Sequence, residues 1–357
     1  PLGNRTTYLY DNVGRLVGTQ DARGFISTTV YDNASRVTAN ENALGAKTSY
    51  TYDDVNRQVA VKNALGNSTT STYDAAGRLT KSTDALGFVT TYTYNAVGAQ
   101  TSTIDPLGNT ASTEYQSNSN RAAASIDPAG GRTTYGYDAA GQRVTQKDPL
   151  GGVITWTYDN AGRTQSIQNQ IGQTTTSTYD AAGRETKVVD PIGNVKTLVY
   201  DATGALINEF FADGHTNTFT YDAAGRLTVI ADRFGVTTNT YDAVGSMTKQ
   251  TLPGNRTLTM TYDSVGQRTI LIEPSGGRFT STYDAVGNLQ TLKDPAGRTF
   301  TASYDAIGNR TTLVAGFGTV TTYAYDALGR VTGETSQVGG SSLLSITDTW
   351  DAAGRKT

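Results

Sequence analysis

A row of regularly spaced carboxylates runs through this chain, and such a row could do three kinds of chemistry: ligate calcium, supply the acid and base of glycoside hydrolysis, or cap turns. Of seventeen periodic aromatic positions, fifteen are followed by Asp, with Asn95 and Gln116 as the exceptions. The calcium-binding β-helix repeat is a nonapeptide, whereas whole strands separate single carboxylates here, so the spacing points to turn capping. No pair of carboxylates stands apart from the rest as a general acid and base would, and none is nominated as catalytic. Arg follows the turn in nine copies (Arg15, Arg36, Arg57, Arg78, Arg163, Arg184, Arg226, Arg330 and Arg355), four residues after the Asp, where it reads as a brace across the turn.

His215 is the only histidine, and it follows Gly214 without a nucleophile elbow or a second ligand beside it, so it reads as a solvated loop residue. The chain has no Cys, which excludes a disulfide framework, a thiolate metal site and a Cys nucleophile. No metal, no cofactor and no catalytic residue is expected. Lys and Arg number 29 against 32 Asp and Glu, for a net charge of −3, which offers no electrostatic footprint for nucleic acid or an anionic bilayer. The longest aliphatic runs are of the Ile270-Leu271-Ile272 kind, far short of the roughly 18 apolar residues that a membrane helix needs.

The elements that carry these residues follow from a repeat. Tyr10, Tyr31, Tyr52, Tyr73, Tyr94 and Tyr115 are 21 residues apart, and the series continues through Tyr137, Tyr158, Tyr179, Tyr200, Tyr221, Tyr241, Tyr262, Tyr283, Tyr304, Tyr325 and Trp350. These seventeen residues are the structural anchors. The other five tyrosines and Trp156 each lie two residues before an anchor, so every Tyr and Trp falls on one face of an extended strand. The residue between the two aromatic positions is Thr in ten copies, Thr178 among them, and points to the opposite, solvated face.

Two turns punctuate each repeat. The first reads like Asp74-Ala75-Ala76-Gly77 and has Gly in 14 of 17 copies, with Ser35, Asn56 and Ser119 in the others. The second reads like Asp105-Pro106-Leu107-Gly108 and has Gly in all 16 copies between anchors, as a residue with φ > 0 would require. Each repeat is therefore a hairpin, and the expected fold is all-β: a continuous antiparallel meander of about 33 strands from 16 to 17 hairpins. Adjacent strands rotate by roughly 20 to 25°, and open sheets rarely exceed about ten strands without curling, so the strip must spiral.

Tyr-Asp-Ala-Ala-Gly-Arg-Leu-Thr at Tyr73 to Thr80 and at Tyr221 to Thr228, followed by Asp-Pro/Ala-Leu-Gly, resembles the YD repeat of Rhs-type proteins. The resemblance covers essentially the whole chain, and residues 1–357 are read as one array cut from a longer one at both ends, without a separate catalytic or toxin domain. It implies a large secreted or cell-surface protein, mostly bacterial: polymorphic toxins, toxin-complex components and wall-associated proteins, with teneurins as relatives. In several of these the repeats form a spiralling shell around a toxic C-terminal domain. Rhs cores end in an Asp-Pro-x-Gly-Leu type motif tied to self-cleavage; Asp190-Pro191-Ile192-Gly193-Asn194 departs from it at Asn194 and reads as one more second turn.

The expected function is a non-catalytic scaffold, a segment of a toxin-enclosing shell. The alternative is an extracellular fibre or adhesin of stacked repeats. Its partners are neighbouring repeats of the same or an identical chain, with an enclosed toxin domain or cell-surface glycans as further ones. Phe25, Phe88, Phe210, Phe234 and Phe317 lie outside the aromatic register; they read as core or edge packing, with stacking on sugar rings as the alternative. Two segments break the repeat and read as bulged loops: Gln116 to Asn120, and Gln337 to Ile346 with its four-residue insertion.

Overall fold

The computed structural model describes residues 5–117 and 119–357. Among these residues thirty-three strands run from Thr7–Tyr10 to Ser341–Thr347, and each pairs antiparallel with its neighbours in sequence. Among the described residues there is no helix, and hence none long and apolar enough to cross a membrane. All first turns lie along one rim of the resulting ribbon and all second turns along the other.

The two kinds of hairpin differ. Across the second turns the ladder is regular, as in Lys81↔Thr91 and Thr83↔Val89, except in the last hairpin, where it shifts between Ser336 and Gln337. Across the first turns from Tyr10 to Tyr325 the register shifts beside the anchor: Tyr73 pairs with Leu79 but Thr72 pairs with Lys81, leaving Thr80 as the extra residue of a β-bulge. The same shift recurs beside Tyr10, Tyr94, Tyr200 and Tyr325. A bulge bends its strand and increases the local right-handed twist, so a bulge in each repeat, always on the same side, curls the ribbon.

The curl brings distant repeats together. Arg23 donates to the carbonyl of Ala285, 262 residues away, and Asn67 to that of Ala327, 260 residues away. At 21 residues per repeat, one circuit of the spiral takes about twelve and a half repeats, or about 25 strands. At about 4.8 Å per strand this is a circumference of about 120 Å and a diameter near 40 Å.

The face that carries the aromatic residues is only partly buried. A single curved sheet has no second layer over either face, and among the described residues no large side chain is fully buried. Among them the buried apolar residues are confined to Ala39, Ala124 and Leu198, while the anchors from Tyr31 onward are half-buried and Tyr10 is exposed. The ten Thr residues between aromatic positions, including Thr72 and Thr178, are exposed as expected. The Gln337 to Ile346 insertion is not a loop: it lengthens the hairpin to Val331–Val338 and Ser341–Thr347 across a Gly339-Gly340 turn. In the Gln116 to Asn120 segment, Asn118 lies outside the described residues, and Ser119 N–H still closes the turn onto the Gln116 carbonyl.

Candidate functional site: the repeat clasp and the seam between circuits

Where a first turn carries Asp, the carboxylate closes it, and Asn95 Oδ1 does the same for its own turn. Asp74 Oδ1 accepts the backbone N–H groups of Ala76 and Arg78, both at 2.9 Å, while Gly77 N–H returns to the Asp74 carbonyl at 3.0 Å. Gly77 holds φ at +79°, and Asn56 adopts +68° at the equivalent position, a conformation Asn tolerates better than most residues. Oδ2 faces the other way and accepts Arg78 Nε at 2.7 Å. The Arg78 N–H bond, helped by the guanidinium and opposed by partial desolvation, holds the Asp74 carboxyl below its ordinary value. Both oxygens are thus engaged in the turn, which is what capping requires and what a general base would have to give up.

The guanidinium does more than brace its own turn. Arg78 Nη1 donates to the Asn95 carbonyl in the following repeat at 3.1 Å, and its Cζ lies 4.9 Å from the centre of the Tyr94 ring. Tyr94 hydroxyl in turn donates back to the Leu79 carbonyl at 2.7 Å. Asp74, Arg78, Tyr94 and Leu79 therefore close a loop across two repeats. The same clasp recurs from Arg15 to Tyr31, Arg57 to Tyr73, Arg184 to Tyr200 and Arg226 to Tyr241. Where the anchor is Trp350, its Nε1–H replaces the hydroxyl and donates to Val331 at 2.8 Å under Arg330. This clasp was missed in the sequence, although its signal was there: each of these arginines but two, Arg226 and Arg330, stands 16 residues before an aromatic anchor.

Among the described residues no group of three or more His, Asp or Glu side chains converges as metal ligands would. His215 is less solvated than its position suggested. It stacks on Phe211, with ring centres 4.1 Å apart and 12° from parallel, and its Nδ1 meets Asp213 Oδ1. Phe211 occupies the place where the turn Asp usually stands, and Asp213 caps instead, accepting His215 N–H at 3.2 Å. That bond, followed by desolvation acting in the opposite sense, holds the Asp213 carboxyl below its ordinary value. Asp190 is an ordinary second-turn cap: Ile192 and Asn194 N–H bind Oδ1 at 3.0 and 2.8 Å, and Asn194 Nδ2 binds Oδ2 at 2.8 Å. Phe25, Phe210, Phe234 and Phe317 are exposed, whereas Phe88 is half-buried.

Where the spiral meets itself, second turns of early repeats face first turns of late ones. Arg23, from the turn Asp21 to Gly24, is largely covered there and donates to the Asp284 carbonyl (3.1 Å), the Ala285 carbonyl (3.0 Å) and Gln267 Oε1 (3.1 Å). Gln267 stands where other repeats carry the clasp arginine, so Arg23 brings to Asp284 the guanidinium that its own neighbour lacks. Farther along, Asn42 and Leu44 form one wall of a cleft of about 510 Å³, with Val286, Asn288 and Ile307 on the opposite wall.

A one-layer antiparallel ribbon, bulged once per repeat, clasped from each repeat to the next and wound until its rims meet, defines a YD-repeat spiral. The chain matches the family described as "Teneurin YD-shell" over residues 151–343, more than half of its length, and the family described as "RHS Repeat" over residues 73–110 and 118–153. It belongs to the YD-shell family. No curated protein matches it in sequence. Among solved structures it is similar to "Crystal Structure of TcdB2-TccC3-Cdc42" (TM-score 0.81, 18% identity, 98% of this chain and 23% of that one). It is also similar to a mutant of the Photorhabdus luminescens Tc holotoxin pore (TM-score 0.82, 15% identity, 99% of this chain and 22% of that one). A third, "Crystal Structure of TcdB2-TccC3 without hypervariable C-terminal region", has TM-score 0.73 and 17% identity over 99% of this chain and 25% of that one. This chain spans about a quarter of the length of these proteins, and at such identities the likeness shows the fold alone.

Proposed function

We propose that this chain is a length of non-catalytic wall in a large secreted or surface protein, and that the wall encloses a toxic polypeptide. The observation that carries the reading is the return of the spiral onto itself after 260 to 262 residues, which turns a ribbon into a container about 40 Å across. The carboxylates support a structural role, because in the turns described above each is taken up by backbone N–H groups and an Arg, Asn or His side chain. Two of the structures of similar fold pair TcdB2 with TccC3, and one of them is described as lacking a hypervariable C-terminal region.

The test is to sequence the gene beyond the array and to treat the intact product with protease. A shell predicts an Asp-Pro-x-Gly-Leu type motif followed by a variable domain, and protection of that domain while the wall stays folded. A gene without such a domain, or a domain digested at the rate of the free polypeptide, would contradict enclosure.

A further inference from the structure

The seam passes through three equivalent stations, 21 residues apart on each rim. The turn from Asp21 meets the turn from Asp284, the turn from Asn42 meets the turn from Asp305, and the turn from Asn63 meets the turn from Asp326. At the first station the Arg23 guanidinium forks onto the carbonyls of Asp284 and Ala285, at 3.1 and 3.0 Å, and also meets Gln267 Oε1. At the third, Asn67 Nδ2 donates to the Ala327 carbonyl at 3.4 Å. The middle station carries Leu44 in the place of Arg23 and Ala46 in the place of Asn67, so neither residue can donate from its side chain. Here the two walls stand apart around the cleft of about 510 Å³.

The acceptors of the first station are nevertheless repeated in the middle one. Asp305 and Ala306 stand in the places of Asp284 and Ala285, and Asn288 in the place of Gln267. Among the described residues the Asp305 carbonyl takes only Gly308 N–H, and the Ala306 carbonyl takes no donor. Asn288 turns its Nδ2 to Asp284 Oδ2 at 2.9 Å, which leaves Oδ1 as an acceptor. No Lys or Arg lines the cleft. The Asp305 carboxylate is taken up by Ile307 and Asn309 within its own turn, whereas Glu41, on the opposite wall, is exposed.

We propose that this cleft binds an alkylguanidinium group, the chemistry of an arginine side chain. The carbonyls of Asp305 and Ala306 and Asn288 Oδ1 receive the planar fork, Glu41 supplies the counter-charge, and Leu44 and Ile307 flank the alkyl stem. The first station is the template, because the same three kinds of acceptor hold the guanidinium of Arg23 there. Both walls of the cleft are formed by this chain. The inference rests on the seam and not on the enclosed-partner reading, and either can fail without the other.

The test is titration of the full chain with n-butylguanidinium, followed by amide chemical shifts. Saturable shifts are expected at Leu44 to Ala46 and at Asp305 to Gly308. n-Butylammonium, with the same stem but no fork, should bind about tenfold more weakly, the loss of one charged hydrogen bond. Leu44→Arg and Asn288→Arg each place a guanidinium of the chain itself in the site, and both should abolish binding. Arg23 and Arg330 already occupy the equivalent positions, so both variants are expected to keep the strand signature in circular dichroism. Binding of an end-blocked Gly-Arg-Gly peptide as tight as that of butylguanidinium would assign the site to arginine within a polypeptide, and its exclusion would assign it to a free guanidinium compound. Absence of saturable shifts in the wild type, equal affinity for butylammonium, or binding that survives either arginine substitution would overturn the proposal.

Discussion

Removing the guanidinium of Arg78 should loosen the repeat after it more than the repeat before it. In Arg78→Met the apolar stem is largely kept, and three contacts are lost: the bond to Asp74, the bond to the Asn95 carbonyl and the contact with the Tyr94 ring. The bond to Asn95 contributes about 1 to 1.5 kcal/mol. The ring contact adds about 0.5 to 1 kcal/mol at a part-exposed site. Inter-repeat loss is therefore about 2 kcal/mol, before any effect on the turn itself. Arg78→Lys keeps the charge but not the planar fork that serves both repeats, so it should fall between the two. Native-state hydrogen exchange reads the direction: amides of the Tyr94 hairpin and the Asn95 turn should lose protection, while those of the Tyr52 hairpin change little. In a repeat array, such a weakened interface also lowers cooperativity, seen as a broader urea transition. Protection lost only within Asp74 to Arg78 would reduce the arginine to a turn brace and refute the clasp.

Replacing Arg23 by Ala should open the seam without unfolding the ribbon, and Gln267→Arg should do the same by supplying Asp284 with a guanidinium from its own rim; small-angle scattering should show both as expanded, and an unchanged profile for both would dissociate Arg23 from closure. Gly193 holds φ at +91°, so Gly193→Val should cost on the order of 1 to 3 kcal/mol in a denaturant melt, while exposed Thr178→Val stays within about 0.5 kcal/mol; equal stabilities would contradict the turn assignment. The carboxyls of Asp11, Asp32, Asp74 and Asp180 are lowered in the folded chain, chiefly by backbone N–H bonds, from a reference of 3.8. Groups lowered on folding contribute stability that is complete above the unfolded value and is lost as pH falls through the folded one, so melts should be flat down to about pH 4 and fall only below it. A loss that begins well above pH 4 would contradict the caps as its source.

The strand pattern was legible because one residue type carried it: Tyr at period 21 with a partner two residues before it leaves no other register for an aromatic face. The Asp caps were legible for the same reason, since the donors they meet lie within four residues. The bulge beside Tyr73 was not, because Thr80 looks like an ordinary strand residue and becomes the extra one only when Tyr73 pairs with Leu79. The clasp was half-legible: its members lie in different repeats, and only the three-dimensional pairing shows that Arg78 reaches Tyr94. Closure of the spiral was not legible at all. It is the sum of many small bends, and Arg23 and Gln267, which mark the seam, look in sequence like two unrelated departures from the repeat. The half-exposure of the anchors was not legible either, because a period of 21 does not say whether a second layer covers the aromatic face.

The central claim is that the ribbon winds back onto itself after about twelve and a half repeats. Since the chain has no native Cys, Leu65→Cys and Leu328→Cys, both exposed and next to the Asn67 to Ala327 bond, can carry a pair of spin labels without background. Pulsed electron resonance on the doubly labelled protein should give a single short distance, because facing rims bring the two tips together. A ribbon that ran on without closing would hold them about 25 strands apart, about 120 Å, and would show no dipolar modulation at all.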